Sequence, residues 1–159
     1  MSTLDREHAE ALAIAIERGI ARPQEAIDWA CQLVVTQTNP SEQVLELAGA
    51  LRPHPLDVVG MLRQFPGSVD ASHVFRKVLA RIRDLLHDRP SAWPEVAAVL
   101  EQMAINGEVP SSLEGACYSF DDQRLLAEEG VYGNLDQVHS ELLAFLEAEA
   151  ESPVDHGAS

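Results

Sequence analysis

Four of the six histidines follow an aspartate by three residues, a spacing that places both side chains on one helix face. The pairs are Asp5–His8, Asp70–His73, Asp84–His87 and Asp136–His139. Helical di-metal sites use a related Glu-x-x-His pattern with every ligand facing inward, whereas His73 and His87 fall on a polar helix side. Because three of the aspartates stand where helices begin, capping with local Asp–His pairing explains the spacing better than metal binding. No metal and no other cofactor is therefore predicted.

The two cysteines, Cys31 and Cys117, are the candidates for a thiol nucleophile, and nothing beside either indicates an activated thiolate. Their separation matches no metal or redox spacing, so both are predicted to be reduced, buried small hydrophobes. The sequence also lacks a Gly-rich phosphate loop, a G-x-S-x-G elbow and an H-E-x-x-H motif. We therefore expect a protein that binds rather than catalyses, with a metal-dependent helical enzyme as an alternative.

A basic stripe lies on or beside the outward face of the fifth predicted helix and comprises His73, Arg76, Lys77, Arg83 and His87. If this stripe is functional, it is either an anion-binding site or the surface by which a helical adaptor binds its partner. Two structural explanations compete with that interpretation. The stripe is either a solvated helix face partly neutralised by neighbouring aspartates, or a face held within the molecule by the acidic C-terminal half.

Both tyrosines of the chain lie between residues 108 and 133, among carboxylates and glycines. This composition is typical of a protein interface, because rings supply buried contact area and carboxylates steer and pair with Arg or Lys. The alternative is that Tyr118, Phe120 and Tyr132 form an ordinary core with polar tips. The predicted partner-binding residues are Tyr118, Asp121, Asp122, Glu128, Glu129 and Tyr132.

Charge is distributed unevenly along the chain. Residues 90–159 hold fourteen acidic side chains and one basic one, Arg124, and so contribute −13 of the formal net charge of −15. Binding to a phosphate backbone needs lysine and arginine, so this balance argues against a nucleic-acid partner. An acidic surface also disfavours anionic membranes and attracts cationic proteins. The alternative is that the charge serves only solubility.

Apolar residues recur at helical spacing along nearly the whole chain, which predicts an all-α fold of about eight helices. The 159 residues fit a single domain over 1–151, with a flexible acidic tail at 152–159. Short connections favour antiparallel neighbours, arranged as stacked helical hairpins or as a compact bundle around the second helix. The second helix, near residues 23–37, is apolar nearly all round and is therefore expected to be central.

Several helix boundaries are predicted from capping residues and one helix is expected to be irregular. The caps are Asn39 for the third helix, with Glu42 three residues later, Asp70 for the fifth, Gly107 after the sixth and Asn134 for the eighth. The seventh helix spans about 112–129, and its polar stretch at 118–122 predicts a local irregularity.

Three segments of the C-terminal third form a recognisable set: Gly107-Glu-Val-Pro110, Cys117-Tyr-Ser-Phe-Asp-Asp122 and Leu126-Ala-Glu-Glu-Gly-Val-Tyr-Gly133, followed by a closing helix through Phe145. This set resembles small helical bacterial immunity proteins, which inhibit a toxin made alongside them. The resemblance implies an all-helical inhibitor that binds a basic toxin domain through an acidic surface and has no catalytic residue.

The leading hypothesis is an all-α immunity or inhibitor protein against a basic toxin domain. A helical regulatory adaptor and a secretion chaperone are the alternatives, because composition alone fits them equally well. The N-terminal residues lack the basic-then-apolar pattern of a signal peptide, and no apolar run approaches about 18 residues, so the protein is predicted to be cytoplasmic.

Overall fold

The computed structural model describes residues 3–52, 54–131 and 133–151. In these residues the chain forms eight α-helices and one short 3-10 helix, and no strand, which confirms the all-α prediction. The helices are α1 (Thr3–Glu17), α2 (Pro23–Thr36), α3 (Glu42–Ala48), α4 (Pro55–Arg63), α5 (Ala71–Asp88), the 3-10 helix (Pro90–Ala92), α6 (Trp93–Ile105), α7 (Glu114–Glu128) and α8 (Leu135–Glu149). Across the described ranges, no helix combines the length and the apolar character that a membrane span requires. The predicted tail at 152–159 lies outside the described residues.

The chain divides into two compact units, Met1–Val74 and Phe75–Ser159. The boundary falls inside α5, and nothing in the sequence signals it, because the apolar spacing of that helix continues across it. In the first unit α1 packs against α4, and α2 packs against α3. In the second unit α6 packs against α7, and α7 packs against α8. The α1–α4 pair joins helices that are not consecutive, so the first unit is a bundle rather than a stack of hairpins.

The helix with the most complete burial in the first unit is α1, whereas the sequence predicted a central α2. Six consecutive residues of α1, 11–16, are buried, so neighbours cover it on every side. In α2, all of whose residues are described, the buried ones are Ala26, Ile27 and Ala30, and Val35 is 85% exposed. The prediction failed because half of the buried run in α1 is alanine, which permits close helix approach yet adds little to an apolar stripe.

Three of the predicted helix boundaries are confirmed. The side-chain oxygens of Asp70 and Asn134 each accept two backbone N–H bonds, at 2.8–3.3 Å, in the first turns of α5 and α8. Gly107 follows α6 with a φ of +71°, which glycine adopts without a steric penalty. The prediction for α3 is wrong, because Ser41 rather than Asn39 is its N-cap and accepts the backbone N–H of Val44 at 3.3 Å.

The seventh helix, α7, is continuous through residues 118–122, where the sequence predicted an irregularity. The polar residues do not interrupt it, because the buried side chains of Cys117 and Phe120 keep helical spacing on one face. The Phe120 ring contacts Phe145 of α8 edge to face, with 5.4 Å between the ring centroids. This contact joins α7 to the helix that carries the fully buried Leu142 and Leu146.

Candidate functional site

One face of α7 is exposed and combines ring, apolar and acidic side chains. Tyr118, Asp122, Leu125 and Glu129 follow one another at intervals of four, three and four residues, which places them in a single line along the helix. Tyr118 is 39% exposed and Leu125 is 42% exposed. We call these four residues the α7 stripe. Partly exposed apolar groups bordered by carboxylates are typical of a surface that a charged protein partner covers.

The two carboxylates of the α7 stripe, Asp122 and Glu129, are exposed. In the described ranges, Asp122 and Glu129 have neither a hydrogen bond nor an ion pair through their side chains. Arg124 is the one basic residue after position 89, and it bonds to Asp121 and Glu128 instead. The stripe therefore carries negative charge that no described basic side chain offsets by an ion pair.

Asp121 differs sharply from its neighbour Asp122, because it is 9% exposed and lies on the inner side of α7. Nε and Nη2 of Arg124 both donate to Oδ1 of Asp121, at 2.9 and 2.8 Å. Nη1 of the same guanidinium donates to Glu128 at 2.8 Å. These hydrogen bonds raise the pKa of Arg124, with the bond to Asp121 as the largest contribution. The Asp121 carboxylate therefore has a structural role in α7, where it accepts the Arg124 hydrogen bonds, rather than a role in partner binding.

A second carboxyl group meets Asp121 from the neighbouring helix. Partial burial, and then a side-chain hydrogen bond to Asp121, raise the pKa of Glu101 on α6. The negative charges of Asp121 and Asp122 act in the same direction. When it is protonated, Glu101 can donate to the Asp121 carboxylate, so this pair links α6 to α7.

The predicted basic stripe does not form one free surface. Nζ of Lys77 donates to the Glu151 carboxylate at 2.9 Å, and Nη1 of Arg83 donates to the Glu151 carbonyl at 3.3 Å. The carbonyl of Arg76 accepts the backbone N–H of Glu151 at 3.0 Å. This agrees with the alternative in which the acidic C-terminal half engages the stripe. The exposed His87 lines a cavity together with Arg83.

His73 lies in the other compact unit from the rest of that stripe. Its Nδ1 is 3.2 Å from Oε2 of Glu7, a carboxylate that is 3% exposed. The same residue supplies a backbone N–H to Asp70, and that bond is the main reason why the pKa of Asp70 is lowered. His73 therefore has a structural role within the first unit, and sequence spacing alone could not separate it from Arg76.

The remaining Asp-x-x-His histidines have contacts of their own. The His8 ring contacts Trp29 at 4.5 Å, and Trp29 in turn stacks on Phe65 at 5.5 Å. His139 stacks almost parallel on Trp93, at 5.1 Å between centroids. Within the described ranges, no three His, Cys, Asp or Glu side chains come together in a way that could hold a metal ion.

The two cysteines have opposite environments, although both were predicted to be buried. Cys117 is fully buried, and burial raises the pKa of its thiol to about 12, so it stays protonated at neutral pH. The prediction for Cys31 is wrong, because that residue lies on the exposed side of α2, with its Sγ 3.7 Å from the Ala48 carbonyl oxygen. Neither cysteine forms a disulfide.

The six predicted partner-binding residues therefore separate into distinct groups. Tyr118, Asp122 and Glu129 share the α7 stripe, whereas Asp121 and Glu128 bond to Arg124. Tyr132 lies outside the described residues. Sequence reasoning missed Leu125, although its position seven residues after Tyr118 gives the same helix face and could have identified it.

Three further apolar side chains in this part of the chain are exposed, namely Leu126, Val131 and Leu135, at 38%, 68% and 38%. Each lies near the end of α7 or the beginning of α8. No protein-family model matches the chain, and no curated protein or solved structure is significantly similar to it.

Proposed function

We propose that this chain is a non-enzymatic protein-binding module that acts in the cytoplasm and covers a basic partner with the α7 stripe. The observation that carries the proposal is the line of Tyr118, Asp122, Leu125 and Glu129, in which exposed ring and apolar groups alternate with carboxylates that have no ion pair among the described residues. Apolar groups supply buried area at an interface, and carboxylates select a cationic partner and accelerate its approach.

The biological form that we propose is an immunity or inhibitor protein whose partner is a basic toxin domain. Two observations support a cationic partner: the charge of −13 over residues 90–159, and the internal use of Arg124 by Asp121 and Glu128. Opposite charge raises association rates, which suits an inhibitor that must engage its toxin quickly.

The test is capture of the partner by the tagged chain from its native host at low salt, followed by a series of washes with rising salt. We expect one stoichiometric basic protein whose toxicity on expression is relieved by the chain. The variant Asp122→Lys with Glu129→Lys should slow association by about tenfold at low salt, because it reverses two steering charges. It should also flatten the salt dependence of association.

The matched control is Glu46→Lys with Asp88→Lys, which makes the same change in net charge at exposed positions away from α7. If the stripe binds the partner, this control retains fast association, whereas equal slowing in both variants would assign the effect to net charge alone. Leu125→Ser tests the apolar part of the stripe, and it should accelerate dissociation more than it slows association. Undiminished binding by both stripe variants would refute the proposal.

The adaptor and chaperone alternatives predict different outcomes of the same capture. An adaptor that uses the basic stripe would lose its partner on Arg76→Glu with Arg83→Glu, whereas the α7 stripe variants would retain it. A secretion chaperone would capture a partner whose activity it does not inhibit. Relief of toxicity is therefore the measurement that separates an inhibitor from both alternatives.

A further inference from the structure

The residues of the α7 stripe have the spacing of a coiled-coil seam. Tyr118 and Leu125 are seven residues apart, and so are Asp122 and Glu129. At about 1.5 Å of rise per residue, like groups are separated by about 10.5 Å along α7. Intervals of four, three and four residues are those between the a and d positions of a heptad repeat. The stripe is therefore a seam in which two apolar groups alternate with two carboxylates.

The surroundings of the stripe leave room for a second helix. Gly115, three residues before Tyr118, is exposed on the same line. A Cβ atom added there would meet no atom within 4 Å outside the local helix backbone, so a partner side chain can approach closely. Leu126, four residues after Asp122, adds a 38% exposed apolar side chain beside the line. The exposed line over 115–129 spans about 21 Å of helix.

An extended segment of a partner does not match this spacing. Side chains on one face of an extended chain are about 6.7 Å apart, so apolar and basic groups that alternate there repeat every 13 Å or so. That repeat exceeds the one on α7 by about 3 Å, whereas a helix repeats its surface every seven residues at the same rise of about 10.5 Å. The described residues also contain no strand to which an extended partner could add.

The charges of the stripe determine which side chains the partner helix must present. Asp122 and Glu129 have no ion pair among the described residues, and Arg124 of the same helix bonds to other carboxylates. A carboxylate covered by a partner without a counter-charge is destabilising, so the positions that face it need lysine or arginine. The positions that face Tyr118 and Leu125 need apolar side chains, because these groups gain only by burial.

We infer that the partner contributes an amphipathic α-helix that lies along α7. Its apolar residues contact Tyr118 and Leu125, and its lysine or arginine residues pair with Asp122 and Glu129. This inference rests on the proposed function, because it specifies the partner of the same stripe.

The test is isothermal titration of the whole chain with a synthetic peptide of three heptads, at about 0.15 M salt to screen long-range charge effects. The peptide has leucine at each d position, lysine at each a position, and alanine and glutamine elsewhere. Lysine at each a position opposes pairing of the peptide with itself. A permuted peptide of the same composition, with leucine and lysine spread round the helix, should bind at least about tenfold more weakly. A third peptide, with a proline in its middle heptad that disrupts the helix, should lose as much.

Charge reversal on the protein identifies the seam that the peptide contacts. Asp122→Lys with Glu129→Lys should weaken binding of the lysine peptide by at least about tenfold, and it should bind a peptide with glutamate in place of lysine more tightly than wild type does. Leu125→Ser should weaken binding of both peptides. The matched control, Glu46→Lys with Asp88→Lys, makes the same change in net charge and should leave both affinities within about twofold of wild type.

Equal binding of the lysine peptide and its permuted or proline form would overturn the inference, because charge alone would then account for binding. Absence of binding at about 1 mM lysine peptide would overturn it as well. Capture from the native host tests the proposed function separately. A captured partner that depends on the α7 stripe, together with failure of the peptides, would refute the helix and leave the proposed function standing. Specific binding of the lysine peptide without any captured basic partner would support the helix seam and refute the inhibitor.

Discussion

Adjacent aspartates on α7 should respond in opposite ways to the same substitution. Asp121→Ala removes the acceptor of two Arg124 bonds, whereas Asp122→Ala removes an exposed carboxylate of the α7 stripe. Hydrogen bonds to charged groups contribute about 1.5–3 kcal/mol to stability. The two paired side chains are still 13% and 16% exposed, so the loss should fall short of the roughly 3–5 kcal/mol seen when a fully buried pair is broken.

We therefore expect Asp121→Ala to lower the free energy of unfolding by about 2 kcal/mol. For a chain of this length, such a loss lowers the thermal midpoint by roughly 4–8 °C. Asp122→Ala should change stability by less than about 0.5 kcal/mol while it slows partner association. Thermal unfolding followed by circular dichroism measures the first effect. Equal midpoints for the two variants would refute the assignment of Asp121 to packing and Asp122 to the surface.

Two further predictions concern the titration of Glu101 and the reactivity of the two cysteines. Because folding raises the pKa of Glu101, the stability that this group contributes should decrease as pH rises from the usual glutamate pKa toward its raised value. Glu101→Gln should remove that contribution, so in denaturant titrations the variant should match wild type in acid and exceed it near about pH 7. A thiol reagent at about pH 8 should label Cys31 in the native protein and reach Cys117 only on unfolding, since the pKa of Cys117 is about 12. Labelling of both at one rate would contradict the burial of Cys117.

The local part of the fold could be predicted from the sequence because its causes are local. Asp70 and Asn134 cap their helices through side-chain oxygens that need only the next three residues, and Gly107 supplies a positive φ at its own position. The cap of α3 was misplaced by two residues because Asn39 and Ser41 are both good caps, and the fold uses Ser41.

The tertiary part could not be predicted because it depends on partners far away in sequence. Lys77 bonds to Glu151, which lies 74 positions later in the chain. Helix periodicity alone could therefore predict a basic face, but not that its charge forms an ion pair within the protein. Asp121 and Asp122 look equivalent in sequence, and only the side of α7 that packs on α6 separates them. The same limit applies to α1, whose alanines give no strong apolar stripe and are nevertheless buried on all sides.

The two tryptophans of the chain are divided between the two compact units, and each contacts a histidine ring. Trp29 reports on the first unit through His8 and Phe65, and Trp93 reports on the second through His139. Each single Trp→Phe variant consequently retains one tryptophan, which reports on one unit without any added label. The emission of each variant during denaturation shows whether the two units unfold together or one after the other. Emission from the wild type, in which both tryptophans contribute, would not separate the two units.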